Sequence, residues 1–141
     1  MAQHVLVPFD GSPMSERALD RAVETFPDAE ITLLRVVDPI GVVYEAEAHG
    51  LPEAERWHDR ATAAAERLLA TAADRARDAG AEAATAVETG RPARAILAYV
   101  ADHDIDQVVI GSHSKGLERL LLGSTAERVL RRSPVPVTVV R

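Results

Sequence analysis

Three short segments rich in glycine and hydroxyl groups could bind a phosphorylated ligand. Asp10-Gly11-Ser12 follows an apolar run at 4–9, and Gly111-Ser112-His113 follows another at 107–110. Gly123-Ser124-Thr125 stands at the start of a predicted helix. Glycine lets a ligand approach the backbone, and a helix start offers unpaired amides with a partial positive charge. Together with the hydroxyl groups, these features are suited to holding an anion.

The same residues have structural interpretations that the sequence leaves open. Ser124-Thr125-Ala126-Glu127 fits the capping box, in which the serine caps a helix and the glutamate reaches back. Asp10 before Gly-Ser is typical of a turn, although its carboxylate could accept hydrogen bonds from a ribose or an adenine amino group. Ligand binding and local structure therefore both account for these residues.

Other site chemistries find little support in the chain. There is no cysteine, no Gly-x-Ser-x-Gly motif and no G-x-x-x-x-G-K-[ST] loop. A receiver domain requires an Asp after the third strand and a lysine near its end. This chain has Thr89-Gly90 at the first position and no lysine near its C-terminus, which argues against that class. The histidines are scattered without metal-ligand spacing: His4, His49, His58, His103 and His113.

The composition limits the class of protein. Hydrophobic residues make up 47% of the 141 residues and aromatic residues 4%, so the core must be aliphatic. The net charge of −6 argues against a nucleic-acid surface. We find no apolar run long enough to span a membrane and no signal peptide at the start, so we expect a cytoplasmic protein.

Elements that alternate between strand and helix must position these segments. We predict strands at 4–9, 31–37, 82–88, 107–110 and 135–140. Helices are predicted after Pro13, over 55–79, after Pro92 and over 125–132, with Ser12 capping the first, whereas 40–55 is predicted to be irregular. This order indicates one α/β domain over 1–141, with an open parallel sheet and helices on both faces.

The motifs resemble those of the universal stress protein family over the whole chain. They are VPFDGS, LLRVVD, TGRPARAI, VVIGSHSKGLERLLLGSTAERVLRRS and PVPVTVV. The resemblance implies a five-stranded parallel sheet in the order 3-2-1-4-5, a Rossmann-like fold of the adenine nucleotide alpha hydrolase type. The strand order then reverses between strands one and four, where ligands bind in such sheets.

The resemblance also implies a site for an adenine nucleotide, ATP with Mg²⁺ or AMP. Asp10 and Val36 would contact adenine or ribose. The other residues that it implies hold ribose and phosphates: Gly111, Ser112, Gly116, Gly123, Ser124 and Thr125. Family members that bind ATP carry the motif G-x2-G-x9-G-[ST]. This chain has Ser114 in place of the second glycine, and only eight residues separate Ser114 from Gly123. Gly116 must therefore serve as the inner glycine of the motif.

The implied function is a nucleotide-binding regulatory module of the stress response, and the alternative is a nucleotide-free dimeric interaction module. We expect no enzyme, or at most slow ATP hydrolysis with His113 as the only nearby base.

Pro134 and Pro136 favour an edge position for the last strand. An exposed edge over Val135–Val140 could pair with a second copy, and the resemblance implies a homodimer through that strand.

Overall fold

The computed structural model describes residues 2–113 and 122–141, which form a parallel sheet with helices on both faces. The strand order is β3-β2-β1-β4-β5, as predicted. The strands are β1 (His4–Pro8), β2 (Glu30–Val37), β3 (Ala83–Thr89), β4 (Gln107–Gly111) and β5 (Val137–Val140). The helices are α1 (Pro13–Thr25), α2 (Ile40–His49), α3 (Leu51–Asp78), α4 (Pro92–Asp102) and α5 (Ser124–Arg132).

Alternating side chains of the central strands supply two aliphatic cores, one on each face of the sheet. Val5 and Val7 of β1 point to the face covered by α1 and α3, where Leu69 is buried. Leu6 points to the opposite face, covered by α4 and α5, where Val129 is buried. Each fully buried side chain of this kind contributes about 1.5–3 kcal/mol, so the central strands are fixed firmly relative to the helices.

The turn after β1 has the predicted local structure. Ser12 is the N-cap of α1, its hydroxyl oxygen accepts the Ser15 amide at 3.2 Å, and Pro13 occupies the first turn. Gly11 has a φ of +82°, which a residue with a side chain rarely adopts. This turn directs the start of α1 across the end of the sheet.

The prediction that residues 40–55 are irregular is wrong. They form α2 and the first turn of α3, separated by Gly50 at a φ of +93°. No residue of α2 is buried, so the helix leaves no amphipathic period in the sequence. A Cβ on Gly41 would overlap the indole of Trp57, so this glycine lets α2 lie directly against α3.

The last strand lies at an edge of the sheet, as its prolines predicted. It begins at Val137, two residues later than expected, although the Pro136 carbonyl already accepts the Val108 amide at 3.0 Å. The Val140 carbonyl accepts the Ser112 amide at 2.7 Å. Backbone groups alternate in direction along a strand, so those of Val137 and Val139 point away from β4 to the open side.

Candidate functional site

A cavity of about 400 Å³ opens at the carboxyl ends of β1, β2 and β4. The chain leaves β1 towards β2 on one side, and β4 lies on the other, so the strand order reverses at this point. Ligands of open α/β sheets bind in such a crevice. The cavity lies between the turn that follows β1 and the start of α5, which both contribute to its wall.

One part of the cavity wall is apolar. Its side chains come from the ends of the three strands and from α4, and they can contact a flat apolar ring. They are Phe9, Leu34, Val36, Ile96 and Ile110. Of these, the sequence analysis assigned only Val36 to the site. The others were recognisable only as core residues, because the sequence does not show which core side chains border an opening.

Asp10 supplies a carboxylate to the cavity and also shapes the turn. Its Oδ1 accepts the amide of Ser12 at 2.9 Å, which confirms the turn interpretation. The carboxylate also lines the cavity, and its other oxygen makes no hydrogen bond within the described residues. The two interpretations of Asp10 are therefore compatible, because one oxygen serves the turn while the residue also lines the cavity.

Ser124 does not cap α5, so the capping-box interpretation is wrong. The N-cap position belongs to Gly123, with φ −65° and ψ 154°, and none of the described side chains makes a capping hydrogen bond there. Instead of reaching back, the Glu127 carboxylate accepts a hydrogen bond from Arg131 at 3.1 Å. Ser124 and Thr125 line the cavity together with Gly123. The start of α5 thus brings two hydroxyl side chains and the first amides of a helix to the cavity.

Gly111 lines the cavity, but the structure gives a different reason for the glycine. A Cβ at this position would lie 2.8 Å from the Cβ and 2.9 Å from the carbonyl carbon of Met14. These atoms belong to the first turn of α1, which packs directly on the end of β4. The glycine is required by this close approach of helix and strand, independently of any ligand.

Ser112 is not among the described residues that line the cavity, and its backbone contacts the start of α5. It is buried, and its carbonyl accepts the Gly123 amide at 2.7 Å while its amide donates to Val140. Its hydroxyl has no hydrogen-bond partner among the residues that the structure describes. Gly116, the remaining candidate, and Ser114 lie outside the described residues.

The structure adds three residues to which the sequence analysis gave no role in the site, Arg35, Ser15 and Pro92, which line the cavity. His113, considered above only as a base for hydrolysis, also lines it. Ser15 is buried and its hydroxyl donates to the Ser12 carbonyl at 2.8 Å, so it supports the turn. Over residues 2–113 and 122–141, no three His, Asp or Glu side chains gather where a metal ion could bind. No helix in this part of the chain has the length and apolarity that a membrane crossing requires.

Comparison with known proteins places these features in a family. The model of the universal stress protein family matches residues 1–141. Universal stress protein YxiE of Bacillus subtilis is 32% identical to the chain, and the alignment covers 100% of both proteins. The solved structure of universal stress protein UspA from Lactobacillus plantarum superposes with a TM-score of 0.84 at 26% identity, covering 99% of this chain and 97% of that one. A universal stress protein solved in complex with cAMP gives a TM-score of 0.68 at 27% identity, covering 99% and 97%.

Proposed function

Because the chain belongs to the universal stress protein family, we propose that it is a regulatory module that binds an adenine nucleotide. The proposed ligand is ATP, with AMP as a smaller alternative that fills the same base and ribose positions. In this proposal, binding changes the surface that the protein presents to partners of the stress response. The relative solved with cAMP supports the class of ligand, since cAMP shares the adenosine of ATP and AMP.

The observation that carries the proposal is the pairing of two complementary walls in one crevice. The apolar side chains, among them Val36 and Ile96, suit the adenine ring, and Asp10 suits the ribose hydroxyls. Ser124 and Thr125 suit a phosphate, because their hydroxyls lie at the start of α5, where none of the described side chains caps the helix amides. A nucleotide has the same order of groups, from an apolar ring to a charged end.

The proposal includes a magnesium ion carried by the phosphates. Mg²⁺ keeps several waters and binds through phosphates and one or two protein oxygens. Asp10 is the only carboxylate on the described wall, and the hydroxyls of Ser124 and Thr125 would offer further oxygen ligands at the phosphate end. The ion would neutralise the charge of the phosphates, and these protein groups would orient the phosphate chain.

Calorimetry on a variant that narrows the cavity tests the proposal. Gly123 is buried and lines the cavity, and its φ of −65° and ψ of 154° are allowed for valine. Gly123→Val therefore places two methyl groups at the phosphate end. We expect the heat of Mg-ATP binding to disappear in this variant and to persist in Ala98→Val, a control at an exposed position of α4. Equal heats for wild type and Gly123→Val would refute the site.

Mass spectrometry of small molecules released from the purified protein identifies the resident ligand. We expect ATP or AMP. Their absence, together with an unchanged melting temperature in excess ATP, would favour the nucleotide-free interaction module instead. The proposed role is to bind the nucleotide rather than to turn it over. We propose a cytoplasmic location, because a regulator that responds to ATP or AMP needs access to the nucleotides of the cytoplasm. Any ATP hydrolysis that persists in His113→Ala would show that His113 is not its base.

We also propose that the protein forms a homodimer through the edge strand at Val135–Val140. The outward backbone groups of Val137 and Val139 can pair with a second copy. Lysine on an edge strand opposes such pairing, and Thr138 is exposed, so Thr138→Lys should convert a dimer to a monomer in analytical ultracentrifugation. Thr85→Lys, on the exposed opposite edge strand β3, is the control and should leave the mass unchanged.

A further inference from the structure

A second cavity, of about 670 Å³, adjoins the candidate nucleotide site. The two cavities share three lining residues, Pro92, Ser124 and Thr125. The second cavity therefore begins where the phosphate end of the first one lies. It extends between the start of α2, the outer side of α4 and the length of α5.

Four of the described residues that line this second cavity, which we call the arginine cavity, are arginines: Arg91, Arg94, Arg128 and Arg132. The first two flank the start of α4 and the last two lie four residues apart on one side of α5. The two helices pack side by side over the same face of the sheet. This concentrates positive charge in a chain whose net charge is −6.

These arginines have no acidic partner within the described residues, in contrast to several others. Arg75 pairs with Glu16 and Asp20, and Arg131, also on α5, pairs with Glu127. Among the described residues, the one acidic residue on the wall of the arginine cavity is Asp38, whose Oδ1 accepts the Ile40 amide at 3.0 Å. Like charges on one helix face oppose folding slightly, so the unpaired cluster carries a cost that a bound anion would remove.

The geometry points to a subsite for a phosphate chain that continues beyond the nucleotide site, and this inference rests on the proposed function. We propose that the arginine cavity binds the distal phosphates of an adenine nucleotide with an extended phosphate chain. Arginine presents paired donors that match phosphate oxygens, which suits it to this role. The chain would leave the first cavity at Ser124 and Thr125 and continue between α4 and α5.

The apolar side chains of the arginine cavity favour a second nucleoside at the far end of the chain. Ile40 and Val43 line it and are 74% and 54% exposed, and Leu97 lines it from α4. Guanidinium groups also stack on aromatic rings, so an apolar wall beside arginines can hold a base. Within the arginine cavity, a dinucleoside polyphosphate would then contact both the arginines and the apolar side chains, whereas a phosphate chain without a second nucleoside would contact only the arginines.

Titration calorimetry with AMP, adenosine tetraphosphate, diadenosine tetraphosphate and inorganic tripolyphosphate tests the inference. The test variant is Arg94→Gln/Arg128→Gln. The control is Arg77→Gln/Arg131→Gln, which also removes two positive charges but from arginines paired with Asp74 and Glu127 outside the cavity. All four positions are exposed, so both variants should fold, which circular dichroism and melting temperature check.

We expect wild type to bind both tetraphosphates more tightly than AMP. The test variant should bind both tetraphosphates about tenfold more weakly than wild type, which is the loss expected for charged hydrogen bonds. Its affinity for AMP should stay constant. The control should change by less than about twofold, and raising the salt from about 0.1 M to about 0.5 M should reduce the difference between the variants. Tighter binding of the diadenosine compound would support the second nucleoside.

Equal tetraphosphate affinity in wild type and the test variant would overturn the subsite. A similar loss in the control would also overturn it, because the effect would then come from net charge alone. Failure of the proposed function gives a different result, namely that wild type does not bind AMP. If tripolyphosphate still bound in a manner that depended on Arg94 and Arg128, the arginine cavity would stand as a phosphate-chain site without the nucleotide.

Discussion

Replacing Ser124 with alanine separates the two roles that the sequence allowed for this residue. A serine that caps a helix contributes about 1 kcal/mol to stability, and its loss would lower the melting temperature by roughly 4 °C in a domain of this size. In the part of the chain that the structure describes, no side chain makes a capping hydrogen bond at the start of α5. We therefore expect Ser124→Ala to change the free energy of unfolding by less than about 0.5 kcal/mol.

The same substitution should weaken nucleotide binding. A hydroxyl that donates to a phosphate oxygen contributes about 1.5 kcal/mol, which corresponds to roughly a tenfold rise in the dissociation constant. Ser12→Ala is the control for stability, because the Ser12 hydroxyl does accept the Ser15 amide and is buried. We expect that variant to lose about 1–2 kcal/mol.

Urea unfolding and calorimetry with Mg-ATP measure both quantities on the same preparations. A loss of stability in Ser124→Ala as large as that in Ser12→Ala would show that the serine caps α5 in solution. Unchanged nucleotide affinity would remove Ser124 from the proposed site. Either result would contradict the assignment of this hydroxyl to a ligand.

Three further substitutions test the packing around the site. Gly111→Ala should cost about 1–3 kcal/mol in urea unfolding, because its Cβ meets Met14 atoms, two of them backbone, that cannot rotate away. Ser112→Ala removes a buried hydroxyl without a partner in the described residues, so stability should stay constant or rise by up to about 1 kcal/mol. Arg75→Gln breaks the bonds of α3 to Glu16 and Asp20 on α1; it should cost about 0.5–1 kcal/mol, and less in high salt.

The sequence predicted the fold where burial leaves a clear pattern. The central strands are continuous apolar runs because they are covered on both faces, and Ser12-Pro13 marks the start of α1. The region 40–55 lacked such a pattern. Its helix α2 has no buried residue and exposes Ile40, Val43 and Tyr44, so no amphipathic period distinguishes it from a surface loop.

The candidate site was predictable as a location but not in its local bonding. Asp10 and Gly123, both proposed from the sequence, line the cavity, because strand ends and helix starts meet at the switch point. The capping box at Ser124 was misleading, because the helix begins one residue earlier than that motif requires and Glu127 has Arg131 as a nearer partner. Gly111 is required because a side chain there would collide with Met14. This contact joins distant parts of the chain, so no local motif shows it.

A crystal structure of the protein grown with excess Mg-ATP would test the central claim most directly. We predict density for adenine against Val36 and Ile96, with phosphates at the hydroxyls of Ser124 and Thr125. Clear density for these residues with no nucleotide between β1 and β4, or with the nucleotide bound elsewhere, would contradict the account.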